Sequence, residues 1–338
     1  MSAANICSDS RFIAGVLKQW RRAVEYDDTT ELQLIHMLDY KYTDASLKLS
    51  ALKGADLLRA RFLQDVCKEA GCRMYLASME RTVTGDCDEG YFDPYDHYGG
   101  RGGWSDEEDE DEDDVEDEDE PKARGDCLGA VDYHEIVENE DSSLKLSRIV
   151  DMEGWELGRD ISVEEDMVIQ EEPYEHRNPD KEDFSGFTGN EGVYATHWYR
   201  DTVILLLPEG YTIEFLLQPF HGGAESSSSS YYSYYRDDKS EQLEKFVGNM
   251  IGRYVNNSRD ASLRKDLEEV CCRLLVEPCL LKTSDSVYGL VVKASFVLGK
   301  PEFLLKAALR IKKQLPSATF SQIGKLVQSF GFDTMLPG

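Results

Sequence analysis

Five aliphatic residues in succession, Val203 to Leu207, close the stretch TGNEGVYATHWYRDTVILLLP and form the longest aliphatic run in the chain. That is far short of the roughly 20 apolar residues a membrane helix needs, so the run has to be buried in protein. It reads as a core strand from Thr196 to Leu207, ended by a turn at Pro208 to Gly210. The residues at its mouth permit chemistry. Glu191 and His197 are ordinary ligand types for iron or zinc, and Arg200 could clamp a carboxylate. Alternation along a strand argues otherwise, because it puts His197, Tyr199 and Asp201 on one face and Trp198, Arg200 and Thr202 on the other. Gly189, Asn190, Glu191 and Gly192 then read as a tight turn, in which glycine and asparagine accept positive φ.

The rest of the chain supplies what this strand packs against. Helical spacing recurs through Phe12/Ile13, Val16/Leu17, Trp20 and Val24, with Ser8 to Ser10 as the cap. Asp28 and Glu31 suggest a capping box for a second helix through Leu32, Ile35 and Leu38. A third runs from Ala55 to Ala70, with Leu58, Phe62, Val66 and Cys67 inward and Gly71 as its stop. Strands are expected at Cys72 to Glu80, Tyr133 to Val137, Leu144 to Val150 and Tyr211 to Gln218. Beyond the low-complexity stretch HGGAESSSSSYYSYYRDD, five helical segments follow, the last through Phe320, Ile323, Leu326/Val327 and Phe330. Short breaks between them suit helical hairpins stacked like a small α-solenoid.

The fold class expected is therefore α+β. N-terminal helices pack on a β-rich domain over 1–220, a Ser/Tyr-rich linker covers 221–238, and an all-α helical-hairpin domain covers 239–335. Residues 83–128 read as a disordered insertion, since Gly, Tyr, Asp and Glu offer too little apolar surface to offset the entropy of ordering. Asp106 to Glu120 within it supplies 14 of the net −29 charges, leaving −15 for the remainder. A surface with that excess repels phosphate backbones and anionic lipid, which argues against nucleic-acid and membrane partners and favours basic ones. The N-terminus lacks the basic and apolar segments of a signal peptide, so an intracellular protein, cytoplasmic or nuclear, is expected. The eight cysteines are scattered and read as buried thiols; Cys67 and Cys72 have no second pair to complete a zinc site.

Catalytic motifs are absent from the sequence. None of the histidines, at 36, 97, 134, 176, 197 and 221, begins an H-x-D/E pair, and there is no H-E-x-x-H, nucleophile elbow, Walker loop or dinucleotide fingerprint. His134 and Glu135 are neighbours, but adjacent residues of a strand face opposite ways. No metal and no cofactor are expected.

Several stretches together resemble a known family: LIHMLDYKYTDASLKLSALKGADLLRARFL (Leu34 to Leu63), AGCRMYLASME (Ala70 to Glu80), SSLKLSRIVDMEG (Ser142 to Gly154) and GFTGNEGVYATHWYRDTVILLLP (Gly186 to Pro208). In that order they are similar to the C-terminal half of proteins related to prolyl 4-hydroxylase, the iron(II)- and 2-oxoglutarate-dependent dioxygenases. In that family a double-stranded β-helix oxygenase domain precedes this region and carries the iron ligands and the 2-oxoglutarate clamp. The present chain begins where that domain would have ended, so no position here receives those roles. The resemblance implies a non-catalytic module that binds a protein or recruits a substrate, the alternative being one part of a dioxygenase whose catalytic domain lies upstream.

Overall fold

The computed structural model of the protein describes residues 3–27, 29–87, 133–175, 177–185, 193–221, 232–277, 280, 285–311, 324–325 and 328. Among these residues the helices are α1 (Ala3–Tyr26), α2 (Gly54–Ala70), α3 (Thr212–His221), α4 (Tyr232–Asn256), α5 (Ala261–Val276), α6 (Asp285–Leu298) and α7 (Pro301–Arg310). The strands are β1 (Leu34–Met37), β2 (Cys72–Cys87), β3 (Ile136–Val150), β4 (Glu156–Gly158), β5 (Ile161–Ser162), β6 (Lys181–Ser185) and β7 (Tyr194–Pro208). They form an antiparallel sheet in the order β1-β7-β2-β3-β4, with β5 added on β3 and β6 on β7. The α+β class follows. Among the described residues no helix is long and apolar enough to cross a membrane.

Two compact units divide the chain. The first comprises 1–81, 143–177 and 199–338; the second comprises 82–142 and 178–198. In the first unit, α1 and α2 cover one side of the sheet. Ala14 and Leu17 meet Ala60, Val66, Cys67 and Ala70, and Leu76, Ile204 and Leu206 join them from β2 and β7. Ile204 and Leu206 face this cluster, so alternation turns Val203, Leu205 and Leu207 to the opposite face, where they too are fully buried. The aliphatic run is thus covered on both faces. Pairing with β1, with Ile35 opposite Leu205 and His36 opposite Ile204, completes its hydrogen bonds on one edge.

In this unit the C-terminal helices are tied to the strands by ion pairs. Arg73 of β2 reaches Asp266 of α5 at 2.6 Å, and Arg253 of α4 reaches Asp151, just beyond β3, at 2.7 Å. Asp260 caps α5 by accepting from the backbone of Ser262 and Leu263. Burial pushes the Cys67 thiol up to about 12 and the Cys72 thiol up to about 11. Both are inert core residues of the α1/α2 layer.

The structure corrects several expectations. Residues 34–37 form strand β1 rather than a second helix, and Asp27 shapes the approach to it by accepting from the Thr29 backbone and hydroxyl. Helix α1 begins at Ala3, ahead of the expected cap. Leu58 is 68% exposed, not inward. β2 runs on to Cys87 and takes in the first residues of the expected insertion; 88–132 lie outside the described residues. The two strands expected between Tyr133 and Val150 are one, β3. The strand expected at Tyr211 to Gln218 is instead helix from Thr212 on, part of α3. α4 starts at Tyr232, inside the stretch read as a connector, of which 222–231 lie outside the described residues. So does the helix expected at Phe320 to Phe330, apart from Gly324, Lys325 and Gln328.

The expected stop of α2 is present, and its backbone shows why glycine is needed. Gly71 has φ of 74° and returns its N–H to the Cys67 carbonyl, and a Cβ there would run into the Arg21 guanidinium. Gly71→Ala is expected to lower stability by roughly 1–3 kcal/mol, measured as a shift in the chemical-denaturation midpoint.

Candidate functional site

In the second unit β6 and β7 form an antiparallel pair whose register sets Glu182 directly opposite His197. Residues directly opposite share a face of the sheet, so the carboxylate and the imidazole meet, Nε2 to Oε2 at 3.7 Å. The return of the chain from 88–132 brings a second imidazole to the same carboxylate. His134 Nδ1 pairs with Glu182 Oε1, and the His134 backbone N–H donates to Oε2 at 3.1 Å. The His134 ring stacks on Phe184 with centroids 3.6 Å apart, and Tyr133 sets its edge on His197 at 6.4 Å. The departing end is fixed as well, because the Cys87 N–H donates to the Val193 carbonyl at 2.8 Å. Glu182 is therefore the hub for two histidines.

Burial shifts two titratable groups here, His197 and Cys87. Burial pushes the pKa of His197 below its ordinary value of 6.5; Glu182 opposes that shift, and the charge of His134 reinforces it. The Cys87 thiol is raised, chiefly by burial and next by the Glu182 charge, so it is held as a thiol and is a poor nucleophile. Among the described residues no group of three His, Cys, Asp or Glu side chains is arranged to hold a metal ion. The cluster holds Tyr133 and His134 on the β6–β7 face.

The remaining expected site residues go elsewhere. Gly189, Asn190, Glu191 and Gly192 lie outside the described residues. Trp198 lies on the face opposite His197, under the Lys181 ammonium at 4.4 Å. In the first unit, Tyr199 packs on Tyr174 at 5.5 Å, with Arg81 over the Tyr174 ring and Arg177 paired to Asp201. Arg200 points outward to Glu80, 3.0 Å away. His197 and Arg200 do not converge. Sequence reasoning missed Glu182 and set His134 beside Glu135, whereas the carboxylate His134 uses is 48 residues away. The only available signal was a β-hairpin register placing Glu182 across from His197.

No protein-family model, curated protein or solved structure matches the chain.

His197→Gln is expected to retain the fold at neutral pH and to cost about 1 kcal/mol, since its approach to Glu182 is a long one, 3.7 Å. The pH dependence has a defined sign. His36, which accepts from Gln170 Nε2 at 3.0 Å, and His197 both have folded pKa values below 6.5, held down first by burial. The folded state then binds fewer protons than the unfolded one, so stability is lost as pH falls below 6.5 toward the folded values. Denaturation midpoints measured from about pH 7 to about pH 5.5 should fall, with a shallower slope in the His36→Gln/His197→Gln double variant. An unchanged slope would show that these imidazoles do not carry the dependence.

Proposed function

We propose that this chain is a non-catalytic protein-interaction module, of the kind its sequence resemblance to the accessory half of 2-oxoglutarate-dependent dioxygenases suggests. One observation carries the reading: α1 is apolar on two faces. Its inner face builds the core through Ala14, Leu17 and Val24, while Phe12 (72% exposed), Val16 (47%) and Tyr26 (87%) stand on the outer face. A helix whose only task was to cover a sheet would carry polar residues there. Large apolar side chains aligned on a solvent face mark a surface that a partner covers.

Two measurements test this. A photo-crosslinking residue at position 16 should give a discrete higher-mass adduct in an extract of the source cells, and the same residue at Lys68, also exposed, should not. Absence of the adduct sinks the reading. Turnover of 2-oxoglutarate to succinate by the purified chain with iron(II), above a metal-free control, would overturn it in favour of an enzyme.

A further inference from the structure

The outer face of α1 also has a charge. From Arg11 to Tyr26 the helix carries Arg11, Lys18, Arg21 and Arg22 against a single acid, Glu25, the reverse of the balance in the chain as a whole. Lys18 is engaged with Glu69 at 2.9 Å and Arg21 with Glu25 at 3.6 Å, whereas Arg11 and Arg22 are exposed. At about 100° per residue, Phe12, Val16, Gln19, Ala23 and Tyr26 fall within an arc of about 80°, and Arg11 and Arg22 line one edge of it, about 16 Å apart. The stripe from Phe12 to Tyr26 is straight and about 21 Å long, four turns of helix.

We infer that this face binds an amphipathic helix of a partner protein, laid lengthwise along α1, with apolar residues over Phe12, Val16 and Tyr26 and acidic residues along the edge facing Arg11 and Arg22. The inference rests on the interaction reading above and names the partner's chemistry. Phe12 and Val16 are spaced i, i+4 and Tyr26 lies in line with them beyond Gln19 and Ala23, and a straight stripe of that kind, apolar but for Gln19, is matched by another helix rather than by a loop. The negative net charge of the chain favours basic partners at long range, but charges beyond about 10 Å are largely screened, so Arg11 and Arg22 decide the contact itself. A second copy of α1 laid antiparallel would bring the same basic edges together.

The test uses the full chain and fluorescein-labelled peptides of about 18 residues, with Leu at helix-spaced positions and one flank of either Glu or Lys. The Glu-flanked peptide should bind with a Kd on the order of 10 μM by anisotropy, and the Lys-flanked one about tenfold more weakly. Arg11→Glu/Arg22→Glu should invert that preference, and Phe12→Ser should weaken both peptides about tenfold, with circular dichroism confirming that each variant is folded. Equal binding of the two peptides, or no saturation by the Glu-flanked peptide at about 1 mM, overturns the inference. So does self-association, or binding to vesicles of phosphatidylcholine and phosphatidylserine, that Phe12→Ser abolishes. A crosslink at position 16 that persists while the peptides fail would leave the module reading standing and remove only the acidic helix.

Discussion

Leu205→Asp is expected to unfold the protein. Leu205 is fully buried in β7, opposite Ile35 of β1, and both flanking positions, Ile204 and Leu206, are committed to the α1/α2 cluster on the other face. A carboxylate at 205 cannot reach solvent by a rotamer change, because the strand is fixed by its neighbours in the sheet. An unpaired buried charge costs several kcal/mol even after protonation relieves part of it, against a typical domain stability of about 5–15 kcal/mol. The loss of a packed leucine adds about 2–5 kcal/mol. Far-UV circular dichroism and a thermal melt should show no cooperative transition at pH 7. A cooperative melt within a few degrees of wild type would mean that β7 is not an interior strand.

The legibility of this core strand and the illegibility of its neighbours have one cause. An uninterrupted apolar run satisfies every period at once, and only the surroundings decide between helix and strand. Val203 to Leu207 was readable because alternating residues precede it: Ala195, His197, Tyr199 and Asp201 are buried while Arg200 is exposed. In α3, Ile213 and Phe215 to Leu217 are all buried, so neither period shows, and the segment resembles a strand until Phe215 N–H is seen to return to the Tyr211 carbonyl. β1 misled in the opposite direction. Leu32, Ile35 and Leu38 suit a helix, but Ile35 and Met37 are the buried pair and His36 takes a hydrogen bond from Gln170, far along the chain. The Glu182 cluster was hidden for a different reason. Its geometry depends on strand register and on a stem that returns from 88–132, and neither leaves a local pattern. The alternation that separates His197 from Arg200 needed only the strand itself.

Asp56→Ala is expected to cost roughly 3–5 kcal/mol, more than removal of most surface carboxylates, which typically costs well under 1 kcal/mol. Asp56 lies in the LKGAD piece that helped to suggest the family, and its side chain is 0% exposed in the first turn of α2. There it accepts from the backbone of Asp39 at 2.9 Å, from the backbone of Tyr40 at 3.1 Å and from the Tyr42 hydroxyl at 3.1 Å. Tyr42 passes the connection on: its hydroxyl accepts from the Lys53 N–H and its own N–H donates to Thr202 Oγ1 of β7. One carboxylate thus turns the chain from β1 into the loop, anchors the loop through Tyr42 to β7 and sits at the positive end of the α2 dipole. Alanine strands all three donors in a site with little water, and each such donor costs about 1–3 kcal/mol. Asp56→Asn keeps one acceptor but aims an amide at a donor, so an intermediate loss is expected. Tyr42→Phe in both backgrounds separates the contributions, because the part of its effect that comes from Asp56 should vanish once Asp56 is gone, while the part from the Lys53 N–H remains. Denaturation midpoints for the four proteins decide it. An alanine variant within about 1 kcal/mol of wild type would show that the loop holds its shape without the carboxylate.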